Sequence, residues 1–174
     1  MRIIAIDPGD TQSGYCLMEG YKPISFQKAN NEDLLDWISM NASGVDVCAI
    51  EMVASYGMAV GKTVFDTCVW VGRFWQKAMD AGCFRVELIY RIEEKTMICH
   101  DSRAKDTNIR QALIDRFAAF DRKNGKGTKQ KPDWFYGFSK DVWMAYAVGV
   151  VYLDKQQETI LKRDGTDEIR RLRF

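Results

Sequence analysis

Residues 3–17 read IIAIDPGDTQSGYCL: an apolar, largely β-branched run that stops at the carboxylate of Asp7 and turns at once through Pro8-Gly9. A short run of this kind bounded by turn residues is the signature of a buried strand, here Arg2 to Ile6. Asp7 therefore stands where the strand runs out. Gly14 to Met18 resumes a strand-like pattern, so the two segments form an antiparallel hairpin with Pro8 to Ser13 as its loop. Asp7 has two readings. It begins an Asx-type turn, the commonest use of Asp before Pro or Gly, or it serves a polar loop that approaches a phosphate or a metal ion.

Outward from this hairpin, Tyr21 to Lys28 reads as a third strand. Asn31 to Ile38 reads as a short helix with acidic residues in its first turn. Val45 to Glu51 is a second apolar run ending in a carboxylate, which repeats the Asp7 arrangement. Residues 52–60 are loop-like, Lys62 to Ala81 has helical apolar spacing, Arg85 to Ile92 is strand-like, and Asn108 to Phe120 and Lys140 to Leu153 are helical. An antiparallel start followed by βα alternation implies a mixed sheet covered by helices. In such a sheet two neighbouring strands that both stop at an acid present Asp7 and Glu51 on one edge, and Asp141, near the start of the last helix, is a third candidate.

The 174 residues fit one domain over 1–154 with a charged C-terminal tail over 155–174. No apolar stretch is long enough for a membrane span and the N-terminus lacks signal-peptide order, so a cytoplasmic protein is expected. Five cysteines without a Cys-x-x-Cys pair, and one histidine, His100, point away from a disulfide framework and from a His-rich zinc site. Residues 1–100 hold 9 basic against 13 acidic side chains, and residues 101–174 hold 16 against 11. The densest basic stretch runs from Arg122 to Lys131 and contains Lys123, Lys126 and Lys129 with no acid. It is either a solvated loop or a segment drawn to a phosphate backbone. Its low apolar content and two glycines predict a loop that is poorly ordered on its own.

Hard carboxylate ligands suit Mg²⁺, and two such ions clamp a phosphodiester for hydrolysis. Four segments, IIAIDPGDTQSGYCL, VCAIEMVASYGMAVGKTVFDTCVWVGRFW, DSRAKDTNIRQALIDRF and KDVWMAYAVGVVYL, together resemble the RuvC-type Holliday-junction resolvases of the ribonuclease H-like superfamily, in particular the phage-encoded branch. The resemblance implies a mixed five-stranded sheet flanked by helices. It implies a homodimer and paired nicks across a four-way junction, with Y-forks, flaps and three-way junctions as further branched substrates. It also implies two Mg²⁺ per active site, with Mn²⁺ able to substitute. By position Asp7, Glu51 and Asp141 correspond to the catalytic, metal-binding acids. Met144 stands where many members carry a second acid on the last helix, so the fourth ligand falls to water, Asp101 or Asp106. Lys105 resembles the family's basic residue before a helix, and is either a catalytic phosphate contact or an exposed lysine beside a helix cap. Tyr56 lies near the family's base-stacking aromatic. Arg103, Arg110, Lys105 and the residues Arg122, Lys123, Lys126, Lys129 and Lys131 are the expected DNA contacts. Two other readings compete: a junction-binding protein with impaired catalysis, motivated by Met144, and an ATP-binding domain of the actin, Hsp70 and sugar-kinase superfamily, whose first phosphate loop also follows a strand.

Overall fold

A computed structural model describes residues 1–171 apart from Tyr56 and Met58, with side chains described as far as Lys162. The elements are β1 (Arg2–Asp7), β2 (Gln12–Glu19), β3 (Lys22–Asn30), α1 (Asn31–Asn41), β4 (Val47–Met52), α2 (Lys62–Asp80), β5 (Val86–Tyr90), α3 (Arg91–Cys99), α4 (Asp106–Phe117) and α5 (Lys140–Arg171). The strands form one mixed sheet in the order β3-β2-β1-β4-β5. β1 pairs antiparallel with β2, and β2 with β3, while β1–β4 and β4–β5 are parallel.

Strand side chains alternate faces, and both faces are covered. Ile4, Ile6, Tyr15, Leu17, Cys48 and Ile50 pack against Leu34, Leu35 and Ile38 of α1 and Val71, Phe74 and Ala78 of α2. Ile3, Ala5, Cys16, Met18, Val47 and Ala49 face the other way, onto α4 and the buried run of α5 from Val142 to Leu153. With both faces buried, β1 and β4 read as continuous apolar runs, which is why the sequence announces them.

The last strand is shorter than expected. The strand expected to reach Ile92 stops at Tyr90, and the chain turns directly into α3. The Glu93 carboxylate accepts the Tyr90 N–H at 2.7 Å and starts that helix. α3 was invisible to apolar periodicity because its one buried residue is a carboxylate, Glu94. α5 runs as helix to Arg171, and Lys155 pairs with Glu93 at 2.6 Å.

The basic loop is internally built rather than unstructured. Asp133 accepts the backbone N–H groups of Ala119, Phe120, Asp121 and Trp134 at 2.7 to 2.9 Å. Asp121 accepts those of Lys123, Asn124, Lys126 and Gly127. Gly127 pairs with Pro132 in an isolated bridge. Its φ of +65° is the left-handed conformation that glycine adopts freely, so this glycine shapes a tight turn instead of loosening the loop. Composition counted too few apolar groups and missed two carboxylates that replace a core. Burial works to raise the Asp133 carboxyl, but its backbone N–H donors overcome it and hold the group well below the usual range. A depressed acid stabilises the fold above its unfolded pKa and loses that contribution as pH falls. Asp133→Ala leaves four N–H groups without their acceptor and is expected to cost about 2–4 kcal/mol in urea unfolding at neutral pH, with the difference from the parent chain shrinking in acid.

Candidate active site

One row of residues across the sheet builds the site. The register pairs Lys28 of β3 with Gly14 of β2, Gly14 with Asp7 of β1, and Ile6 with Ile50 of β1 and β4, which sets Asp7 beside Glu51. Asp7 shares parity with Ile3 and Ala5, and Glu51 with Val47 and Ala49. Both carboxylates therefore rise on the α5 face.

The Asp7 carboxyl accepts no backbone hydrogen bond from the described residues, so the Asx-turn reading is not realised. The loop after it is held by other groups. Buried Ser13 accepts the Gly9 N–H at 3.2 Å and donates to Asn31 Oδ1 at 2.6 Å, and Asn31 Nδ2 donates to the Gly9 carbonyl at 3.0 Å. Sequence reading passed over Ser13 and Asn31, whose part in the loop depends on an 18-residue separation.

Gly14 admits the third acid. A Cβ at this position would lie 2.4 Å from the Asp141 carbonyl oxygen, so only a glycine lets the start of α5 descend onto the sheet beside Asp7. There Asp141 meets Lys28 at 2.9 Å, and its charge acts on Asp7. Gly14→Ala forces backbone against backbone and is expected to cost about 1–3 kcal/mol in stability, together with a loss of whatever activity depends on Asp141. Thermal unfolding and the activity assay read the two effects separately.

Asp7 and Glu51 interact directly. Burial, then the Glu51 charge and a hydrogen bond shared with Glu51, push the Asp7 carboxyl up to about 8. Burial also raises Glu51, partly offset by Arg91. Two carboxyls this close, both raised above their ordinary range, are a pair whose charge a divalent cation relieves.

Arg91, the first residue of α3, reaches back into the row. Its guanidinium lies 3.6 Å from Glu51 and 2.5 Å from Glu94, contacts Asp106, and donates to Met144 Sδ at 2.8 Å. Burial opposes its charge, but Glu94, Glu51 and Asp106 more than offset this and keep it firmly protonated. Glu94 is fully buried, and its Oε1 has no hydrogen-bond partner. Neither Arg91 nor Glu94 was found from sequence, because both belong to the helix that periodicity missed. An ionisable Arg-x-x-Glu step just after a strand was the available signal.

Among the described residues no three acidic, cysteine or histidine side chains converge on a single ligating point. The structure brings Asp7 and Glu51 together, sets Asp141 next to them in the hold of Lys28, and ties Asp106 to them through Arg91. Asp101 instead caps the N–H of Arg103 on the surface. Lys105 precedes α4 as its N-cap residue, where its N–H donates to Asn108 Oδ1, and it lines a separate cleft with Asp101 and Asp115. Arg110 and Lys126 line a cleft of about 310 Å³ with Asp106, Lys140, Trp143 and Met144, and Met144 connects it to Arg91. Arg110 lies over the Trp143 ring at 5.0 Å. Lys131 lies over Phe120 at 4.4 Å, Arg122 holds the Asp115 carbonyl, and Lys123, Lys129 and Arg103 are exposed. Tyr56 lies outside the described residues.

Sequence comparison finds no matching family and no matching curated protein. Comparison of structures is decisive for the architecture. Thermus thermophilus RuvC superimposes with a TM-score of 0.63 at 14% identity, over 91% of this chain and 98% of that one. The fold is that of RuvC. T. thermophilus RuvC in complex with a Holliday junction substrate matches with a TM-score of 0.61 at 12% identity, over 87% of this chain and 92% of that one. At such low identity the likeness carries the RuvC architecture, including its mixed five-stranded sheet, and leaves the chemistry to the residues of this chain.

Proposed function

We propose that this RuvC-like chain is a divalent-cation-dependent endonuclease that cuts branched DNA, Holliday junctions first, with Y-forks, flaps and three-way junctions as further substrates. The observation that carries the reading is the half-buried Asp7–Glu51 pair on adjacent parallel strands, with Asp141 at the start of α5 acting on Asp7. The pair fits one Mg²⁺ or Mn²⁺: two adjacent hard oxygen donors with Asp141 alongside. The residues do not fit a second ion of the two expected. Lys28 occupies Asp141, Arg91 occupies the space beyond Glu51, and Met144 offers a thioether that suits soft metals.

When bound, the cation supplies an activated water and charge stabilisation at the phosphate. The protein does the rest. Asp7 and Glu51 would hold the cation on rigid strands, Lys28 balances the charge of Asp141 at 2.9 Å, and Arg110, Lys126 and Lys140 draw the sugar–phosphate chain into their cleft. The exposed basic loop extends the attraction along the duplex arms.

The exposed face of α2 supports a homodimer. Phe65, Val69, Trp75 and Met79 are exposed along this helix, whereas Phe74 is buried against the sheet. An unpaired apolar stripe of this kind is what a symmetric partner covers. No helix among the described residues is long and apolar enough to cross a membrane.

The ATP-binding reading has little to stand on here, since the chain forms one sheet unit that matches nearly the whole length of a RuvC chain. The impaired-binder reading rests on Met144 alone. Nicking of a four-way junction in Mg²⁺ separates the nuclease from the impaired binder, and competition separates either from the ATP-binding reading. A labelled four-way junction retained against excess linear duplex, with no shift in melting temperature on adding ATP, supports a junction-directed protein, and its nicking in Mg²⁺ makes it the nuclease. An ATP-induced shift without junction preference rejects it.

A further inference from the structure

The charges around Asp7 are matched in an uneven way. Lys28 serves Asp141 alone, at 2.9 Å. Arg91 serves Glu51, Glu94 and Asp106 at once and also donates to Met144 Sδ. One oxygen of Glu94, a residue with no solvent exposure, takes the guanidinium, and the other has no partner among the described residues. A fully buried carboxylate is costly unless a charge pairs with it, and here that charge is Arg91. What depends on Glu94 is the position of Arg91. The two are three residues apart on α3, and the helix turn aims both at Glu51.

We propose that Arg91, held by Glu94, is a permanent cation of this site, and that the site consequently takes one divalent cation per chain, at Asp7 and Glu51. This rests on the nuclease reading above and sharpens it. A guanidinium keeps its charge at every pH the protein meets, and it already lies 3.6 Å from one oxygen of Glu51. Met144 agrees with this arrangement. A carboxylate there would compete with Glu94 for Arg91, whereas the thioether accepts an N–H without adding charge. Arg91 is thus a positioning residue that acts through Glu51, and Glu94 positions Arg91 in turn.

The test is a Mn²⁺ titration of the full DNA-free chain, with free Mn²⁺ followed by electron paramagnetic resonance. The parent chain is expected to bind one Mn²⁺, and Asp7→Asn to abolish that binding. Arg91→Gln removes the internal cation and leaves Glu51, Glu94 and Asp106 uncompensated, so it is expected to bind two. Arg91→Lys keeps a cation in place and is expected to return to one. Two Mn²⁺ on the parent chain overturn this inference while leaving the nuclease reading standing. No Mn²⁺ on the parent chain overturns both. One Mn²⁺ on both the parent and a folded Arg91→Gln overturns the role given to Arg91. The parent count needs no substitution, so it decides the matter even if Arg91→Gln does not fold.

Discussion

Asp7→Asn is expected to bind a four-way junction as tightly as the parent chain and to nick it at least about 1,000-fold more slowly, a loss of roughly 4 kcal/mol in barrier. The substitution keeps shape and hydrogen-bonding capacity but removes the anion that, with Glu51, holds the cation. It touches none of the basic residues that line the cleft. Stability should move the other way. In the cation-free protein the Asp7 carboxyl is raised from its ordinary value to about 8, mainly by burial. A carboxyl with a raised pKa in the fold is harder to ionise folded than unfolded, so the parent chain loses stability as pH rises from about 4 to about 8. Asn has no such cost. Cation-free Asp7→Asn should therefore melt above the parent by a margin that widens over that pH range, at roughly 2–4 °C per kcal/mol for a chain of this size. Junction gel shifts, single-turnover nicking and melting curves at several pH values check the three parts. A variant that binds poorly and melts low would mean that Asp7 is structural.

Changing Lys123, Lys126, Lys129 and Lys131 together to Ala is expected to weaken binding to every DNA shape, on the order of 100-fold at moderate salt, and to flatten the salt dependence by about 0.9 in log–log slope for each phosphate that no longer has a lysine beside it. The loop itself should survive, because its framework is made by Asp121 and Asp133 through backbone N–H groups and not by these side chains. Cleavage at saturating protein should persist, since Asp7, Glu51 and Asp141 remain in place. Lys126 is the exception within the set, because it alone lines the cleft. Normal binding with a collapsed cleavage rate would move the loop into the reaction itself.

Much of this was legible in the sequence where burial on both faces turned strands into apolar runs. β1 and β4 announce themselves, both end near an acid, and parallel pairing puts those acids side by side. Asp141 was legible as the acid opening an apolar helix. What was hidden shares one physical cause: polar groups used as structure. α3 buries a carboxylate instead of a hydrophobic residue, so its pattern carries no helical period. The basic loop is organised by two acids accepting backbone donors, a role that composition does not reveal. Arg91 and Glu94 matter because of where a missed helix begins, and Gly14 because of the distant stretch of chain, at Asp141, that lies above it. In each case the information is in tertiary contact and not in local spacing.

Incubation of the purified chain with a synthetic four-way junction, in Mg²⁺ and in EDTA, with all four strands labelled in turn, puts the central claim to the most direct test. The account predicts nicks at symmetric positions in two opposing strands in Mg²⁺, none in EDTA, none with Asp7→Asn, and little on linear duplex. An intact junction in Mg²⁺, or nicking that EDTA and Asp7→Asn leave unchanged, would contradict it.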